Sequence, residues 1–359
     1  MTIGKPRNTV IGLPSYKPGK SAGQAEVEHG AVDAIKLASN ESPLVPLASV
    51  QAAIVAASTG VNRYPDHGAV ALRERLAHKL GLNANQIGVG AGSSGLLQQV
   101  LLCYVDAGDE VVYPWRSFEA YPILVQMVGG VSVTTPLNDD LSVDFVALTA
   151  AVTPATKVVF LATPNNPTGI SESTADIAAF VQSIPDDVIV LVDEAYREFN
   201  DPAAGDPVVD LLPRFRNVVV TRTMSKAHGL AGLRVGYAVG DPEIITTLDK
   251  TLMMFSVNLV AQAAALAVLG AQDEVDKRVA DIVAERDRVS VALSELGVRT
   301  TKTDANFVYL PLGEDTERIG LALEIKGVVT RAFAGDGIRV TIGTAAENDR
   351  FLATFEEVR

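Results

Sequence analysis

Lys226 stands a few residues past a short β-branched run, Val218–Val220, and just after Thr223 and Ser225. A lysine beyond a buried strand is a candidate covalent nucleophile. Partial burial lowers the amine's pKa, and a neutral amine condenses with aldehydes. Eight residues on, Arg234 lies in a frame of Gly229, Gly232 and Gly236, which lets backbone approach closely. A guanidinium beside a lysine and two hydroxyls fits a bound phosphate. An aldehyde and a phosphate together point to pyridoxal 5'-phosphate. A lone Ser-Lys pair favours an ordinary surface loop, so the assignment turns on the rest of the chain.

The other needs of that cofactor are met in order along the sequence. Gly90 to Gly95 (G-A-G-S-S-G) follows the strand-like Ile87–Val89 and opens a helix, presenting Ser93, Ser94 and free backbone N–H groups to an anion. The same stretch matches the G-x-G-x-x-G dinucleotide pattern. However, Asp109 and Glu110 precede the next strand instead of ending it, which disfavours a nicotinamide nucleotide. Phe118, in P-W-R-S-F-E-A-Y, can stack on a flat ring or simply pack. Asn166, in the turn T-P-N-N-P-T-G, and Tyr196 can donate to the cofactor's phenolic oxygen. Asp193 can pair with the pyridine nitrogen. Thr223, Ser225 and Arg234 complete the phosphate cup. Arg339, flanked by apolar residues, needs an anion: a substrate carboxylate or a structural partner.

Elements must then place these residues together. Strand-like runs at 157–162, 188–192 and 218–220 end in polar groups and alternate with helix-length segments. That is the α/β pattern, with ligands beyond the carboxyl ends of parallel strands. Helices are predicted over 50–57, 69–80, 242–255, 273–296 and 346–358; 259–269 is strongly apolar, and the later chain runs through a strand at 306–310, through 327–331 and through a β-type run at 337–343. Residues 1–40 read as an extended Pro/Gly-rich arm, 41–250 as a large cofactor-binding domain, and 251–359 as a small domain.

Composition narrows the function. The 359 residues carry a formal net charge of -13, which argues against nucleic-acid or anionic-membrane surfaces. The reading expects no membrane span, no signal peptide after M-T-I-G-K-P-R-N, and no metal among the scattered His29, His67, His78 and His228. Cys103 is the single cysteine, which fits a reducing cytoplasm.

The segments L-P-S-Y-K-P-G-K, I-K-L-A-S-N-E-S-P, N-R-Y-P-D, P-W-R-S-F-E-A-Y-P, P-N-N-P-T-G, V-D-E-A-Y, T-M-S-K-A-H-G-L-A-G-L-R-V-G-Y, A-N-F-V-Y-L-P-L-G and I-R-V-T-I-G run almost end to end. With them the chain resembles the fold-type I aminotransferases, in the branch holding histidinol-phosphate and actinobacterial aromatic-amino-acid aminotransferases. The resemblance implies a large domain with a mostly parallel sheet flanked by helices, a smaller α+β domain, and a homodimer with sites at the interface. It implies that Lys226 holds the cofactor and shuttles a proton, and that Asp193, Asn166 and Tyr196 bind the ring. It further implies that Arg339 and Asn166 bind substrate, that Tyr16 covers the side chain, and that Tyr64 reaches the neighbouring subunit's cofactor phosphate. W-R-S-F-E-A-Y-P and the arm motif favour aromatic substrates, with histidinol phosphate as the alternative and Arg331 and Lys17 as its candidate cations. Met224 stands where the family usually has Phe, and His228 where it has Tyr or Phe. A regulator that keeps the fold, and a nicotinamide dehydrogenase built on Gly90–Gly95, are the competing classes.

Overall fold

The computed structural model describes residues 4–16 and 18–359. Twelve strands are found among them: β1 Ile35–Lys36, β2 Ile87–Gly90, β3 Glu110–Pro114, β4 Val131–Thr135, β5 Thr156–Ala162, β6 Ile189–Asp193, β7 Val218–Thr223, β8 Gly236–Gly240, β9 Phe307–Leu310, β10 Val328–Val329, β11 Arg331–Phe333 and β12 Gly337–Thr341. A seven-stranded sheet has the order β2-β8-β7-β6-β5-β3-β4. Every described pairing between its strands is parallel except those of β8 with β2 and β7. β5, β6 and β7 are buried along nearly their whole length, as strands covered by helices on both faces must be. This is the expected mostly parallel α/β sheet.

A second, antiparallel sheet β11-β12-β9 and the parallel pair β1–β10 form the rest. Their core joins Leu37 to Phe307, Ile338, Val340, Phe351 and Val289. The smaller core therefore draws on residues 35–37, on Tyr196, Phe199 and Ala227, and on the C-terminal third. The helix Leu259–Leu269 lies beyond residue 250, yet its Ala261, Ala264, Ala265 and Val268 pack in the core of the large sheet, against the helix Ala48–Ser58.

Three local readings change. The arm is not extended throughout: it carries helices at Asn8–Ile11 and Ala22–His29, the second started by a capping box between Ser21 and Gln24. The helix expected over 242–255 stops at Asp249. Beyond it Met253 and Met254 are exposed and Phe255 has φ 58, so their apolar character belongs to a surface and not to a helix face. β8 was hidden in a glycine-rich run whose short residues let it lie between β2 and β7. No described helix is long and apolar enough to cross a membrane. Glu28, His29 and Glu324 cluster closely enough to hold a cation, but Lys20 Nζ already donates to both carboxylates, at 2.7 and 2.6 Å.

Candidate active site

The carboxyl ends of β5, β6 and β7 open on one cleft of about 450 Å³. Tyr16, Ser93, Ser94, Phe118, Asn166, Asp193, Tyr196, Thr223, Ser225, Lys226 and Arg234 all line it. An adjoining cavity shares Lys226, Asn166, Tyr196 and Arg234 and adds Arg339, Arg331, Glu119, Ile123 and Leu124. Of the site residues expected from sequence, only Tyr64 lies apart. It is 82% exposed and stacks on Phe255 at 4.4 Å.

Lys226 follows β7 by three residues. Its Nζ donates to the Ser39 carbonyl at 3.1 Å and sits 5.8 Å from the centre of the Tyr196 ring. Burial, helped by the positive charge of Arg339, lowers its pKa to about 7. Near neutrality a large share of this amine is therefore unprotonated and nucleophilic.

Asp193 closes β6, in register with Thr221 of β7. Its Oδ2 accepts from the Tyr121 hydroxyl at 3.1 Å and its Oδ1 from Thr221 Oγ1 at 3.4 Å. Burial raises its pKa to about 6 against the opposing pull of these bonds and of Lys226. Lys226 is near enough to act on this carboxylate but makes no ion pair with it, and a cationic ring nitrogen in the cleft would supply a direct partner. Tyr121 is a residue that sequence reasoning grouped only with the aromatics of its stretch. It is fully buried, and its pKa is pushed well up by burial and by Asp193.

An anion cup forms at the start of the helix Gly92–Tyr104, where Ser93 and Ser94 sit among free N–H groups. Arg234 crosses this end, donating to Ser94 Oγ at 3.3 Å and to the Ala91 carbonyl at 3.4 Å. Gly92 has φ +75, and any Cβ there would run into the Arg234 guanidinium. A Cβ on Gly236 would come within 2.6 Å of the Ser93 nitrogen. Both glycines thus keep the cup open. Thr223 Oγ1 donates to Ser225 Oγ at 2.9 Å on the adjacent wall.

Arg339 is buried on β12. Its Nη1 donates to Asn166 Oδ1, its Nη2 donates to the Ala38 carbonyl at 2.7 Å, and its Nε has no partner. Arg339 lines the adjoining cavity with one buried donor left without a partner, and a guanidinium so placed can accept an anion. The Tyr196 hydroxyl accepts from Asn40 Nδ2 at 2.8 Å. Asn40 is also bonded to Thr341 and has φ 53, a left-handed conformation that asparagine tolerates. Sequence reasoning gave Asn40 no role; the only signal was its place in L-A-S-N-E, a quoted motif.

Residues 32–355 match the family described as aminotransferase class I and II. The chain belongs to that family. Among curated aminotransferases, the aromatic amino acid aminotransferase of Rhodococcus opacus (strain B4) is 48% identical over 341 residues, covering 95% of this chain and 92% of that protein. The aromatic amino acid aminotransferase of Streptomyces avermitilis is 45% identical over 359 residues, covering 100% and 98%. A crystal structure of histidinol-phosphate aminotransferase from Sinorhizobium meliloti in complex with pyridoxal-5'-phosphate superposes with a TM-score of 0.91 at 31% identity, covering 99% of this chain and 98% of that one. The two departures from the aminotransferase pattern are both buried, and neither His228 ring nitrogen has a hydrogen-bond partner. Met224 is fully buried in the large core, and His228 is buried with its Nδ1 3.7 Å from Glu198 Oε1.

Proposed function

We propose that the chain is a pyridoxal 5'-phosphate-dependent aminotransferase that moves the amino group of an aromatic amino acid, phenylalanine or tyrosine, to a 2-oxo acid such as 2-oxoglutarate. The observation that carries this reading is the meeting of Lys226, Asp193, the anion cup and Arg339 around one cleft. The residues fit the cofactor. Ser93, Ser94, Thr223, Ser225 and Arg234 would hold its phosphate, Asp193 its ring nitrogen, Asn166 and Tyr196 its phenolic oxygen, and Phe118 one ring face. Bound there, the cofactor supplies an aldehyde that takes up the amino group and a ring that draws electrons from the substrate's α-carbon.

The chain's own groups then do the following. Lys226 presents a neutral Nζ and carries a proton to and from the substrate α-carbon. Asp193 keeps a proton on the ring nitrogen. Arg339 binds the α-carboxylate and so fixes which α-bond faces Lys226. Tyr16, half exposed on the arm, covers the side-chain slot. Because the Lys226 amine must shed its proton before it reacts, capture of the cofactor by the apo protein should accelerate about tenfold per pH unit below pH 7 and level off above it. Stopped-flow absorbance after mixing checks this; a rate independent of pH through that range would remove Lys226 as the group that titrates.

Ile123 and Leu124 give the side-chain slot an apolar wall. A phosphate monoester would want a free cation there. Arg331 is already paired with Glu119 at 2.6 Å, which favours an aromatic ring over histidinol phosphate. The other candidate cation, Lys17, lies outside the described residues. The experiment is a set of single-turnover half-reactions with phenylalanine, tyrosine and histidinol phosphate, read from the cofactor spectrum. We expect rapid conversion by the two aromatic acids; rapid conversion by histidinol phosphate alone would overturn the substrate assignment.

The same reading makes the enzyme a homodimer. Tyr64, Phe255, Met253 and Met254 give the described surface apolar side chains that a second copy would cover, bringing Tyr64 to the partner's phosphate cup. The arm at 1–40, the large unit at 41–250 and the small unit at 251–359 would divide cover, cofactor and substrate carboxylate between them. With its single cysteine, the chain would work in the cytoplasm.

A further inference from the structure

β11 and β12 set Arg331 and Arg339 on directly opposed positions. Both guanidiniums lie over the Phe333 ring, 5.6 and 5.8 Å from its centre. Like charges opposite one another on an antiparallel pair repel. The repulsion is felt in Arg339, whose pKa is lowered by burial and further by Arg331. The counter-charge comes from across the cleft. Glu119 Oε2 accepts from Arg331 Nη2 at 2.6 Å and from Arg331 Nε at 3.1 Å. Glu119 immediately precedes the helix Ala120–Val128, on the wall opposite the hairpin. Both members of the pair line the cavity that holds Arg339. Their side chains remain 31% and 18% exposed, so an incoming anion can reach them.

We propose that Glu119 sets the charge specificity of the side-chain slot by acting as the built-in counter-ion of Arg331. With the pair closed, Arg339 is left for an α-carboxylate, while Lys226 and Arg234 of the same cavity belong to the cofactor side. Its outer end is neutral and suits an uncharged ring. A substrate with a second anionic group must displace Glu119 from Arg331 before it gains anything there. A dicarboxylic 2-oxo acid in the second half-reaction makes the same exchange, so one slot serves two side chains of different charge. This rests on the aromatic aminotransferase reading above.

The test is equilibrium binding of two unreactive acids, 3-phenylpropionate and glutarate, to the holoenzyme, followed by cofactor absorbance. Glu119→Gln keeps the shape and removes the charge, leaving Arg331 unopposed. It should tighten glutarate relative to 3-phenylpropionate by about tenfold or more. Arg331→Gln leaves Glu119 unopposed and should move the same ratio the other way. The double variant E119Q/R331Q should return it to within about threefold of the unmodified protein. The proposal falls if E119Q leaves the ratio within that threefold band, or if R331Q shifts it in the same direction as E119Q. Should E119Q not fold, the sign of the R331Q shift decides alone. If the unmodified enzyme converts histidinol phosphate and not phenylalanine, the aromatic reading fails, and the E119Q ratio still judges Glu119 separately.

Discussion

Lys226→Ala is expected to lower turnover by at least about 10⁴-fold, because on the proposed function it removes the group that both holds the cofactor and moves the α-proton. No other lysine among the described residues lines the cleft. Tyr196 is buried with its pKa raised, so its hydroxyl stays protonated and makes a poor base. Asp193 would be engaged by the ring nitrogen in this reading. The anion cup is untouched by the change, so the cofactor should still bind, but reversibly, and dialysis should strip it. The spectrum of the bound cofactor should differ from that of the unmodified protein, and an added small amine should restore part of the proton transfer. The fold should not suffer. A partly buried amine with a lowered pKa is a cost to the native state when charged, so the apo variant should melt no lower than the apo protein. Retained turnover within about tenfold would remove Lys226 from the chemistry.

The parts of this site that were legible in the sequence are those whose signal is local. A β-branched run followed by a polar residue places Asp193 at the end of β6 and Thr223 at the end of β7, and alternation with helices then puts both ends on one side of the sheet. Ser93 and Ser94 were readable for the same reason: glycines and serines between a strand and a helix mark an exposed helix start. What could not be read is set by pairs far apart in the chain. Tyr121 meets Asp193 across 72 positions, Asn40 meets Tyr196 across 156, and Glu119 meets Arg331 across 212. Each lies on a segment whose own pattern is that of an ordinary loop or helix start. The end of the helix at Asp249 was missed because exposed Met253 and Met254 imitate a buried stripe. Tyr64 cannot be placed in a site by one chain, since its ring faces outward beside Phe255.

The second large effect concerns Asp193, where activity and stability should move in opposite directions. Asp193→Asn preserves shape and bonding: the new Oδ1 can accept from Tyr121, and the new Nδ2 can donate to Thr221 Oγ1. What is lost is the charge that holds a proton on the ring nitrogen, and turnover should fall by about 10²–10⁴-fold. The apo protein should respond the other way. Asp193 has its pKa raised to about 6 by burial, from an ordinary value of 3.8, so the folded state binds the proton more tightly than the unfolded state does. Native stability therefore falls as pH rises between those two values, and above about 6 the full cost of a buried, unmatched carboxylate is present. Removing that charge should raise apo stability near neutral pH by on the order of 1–3 kcal/mol, with no gain below about pH 4, where both states hold the proton. Thermal melts of the two apo proteins across that range, set beside their turnover, separate the two effects. An apo variant that melts lower than the unmodified protein at neutral pH would mean that the carboxylate is matched by a charge within the chain. The cofactor's ring would then not be what Asp193 is held there to meet.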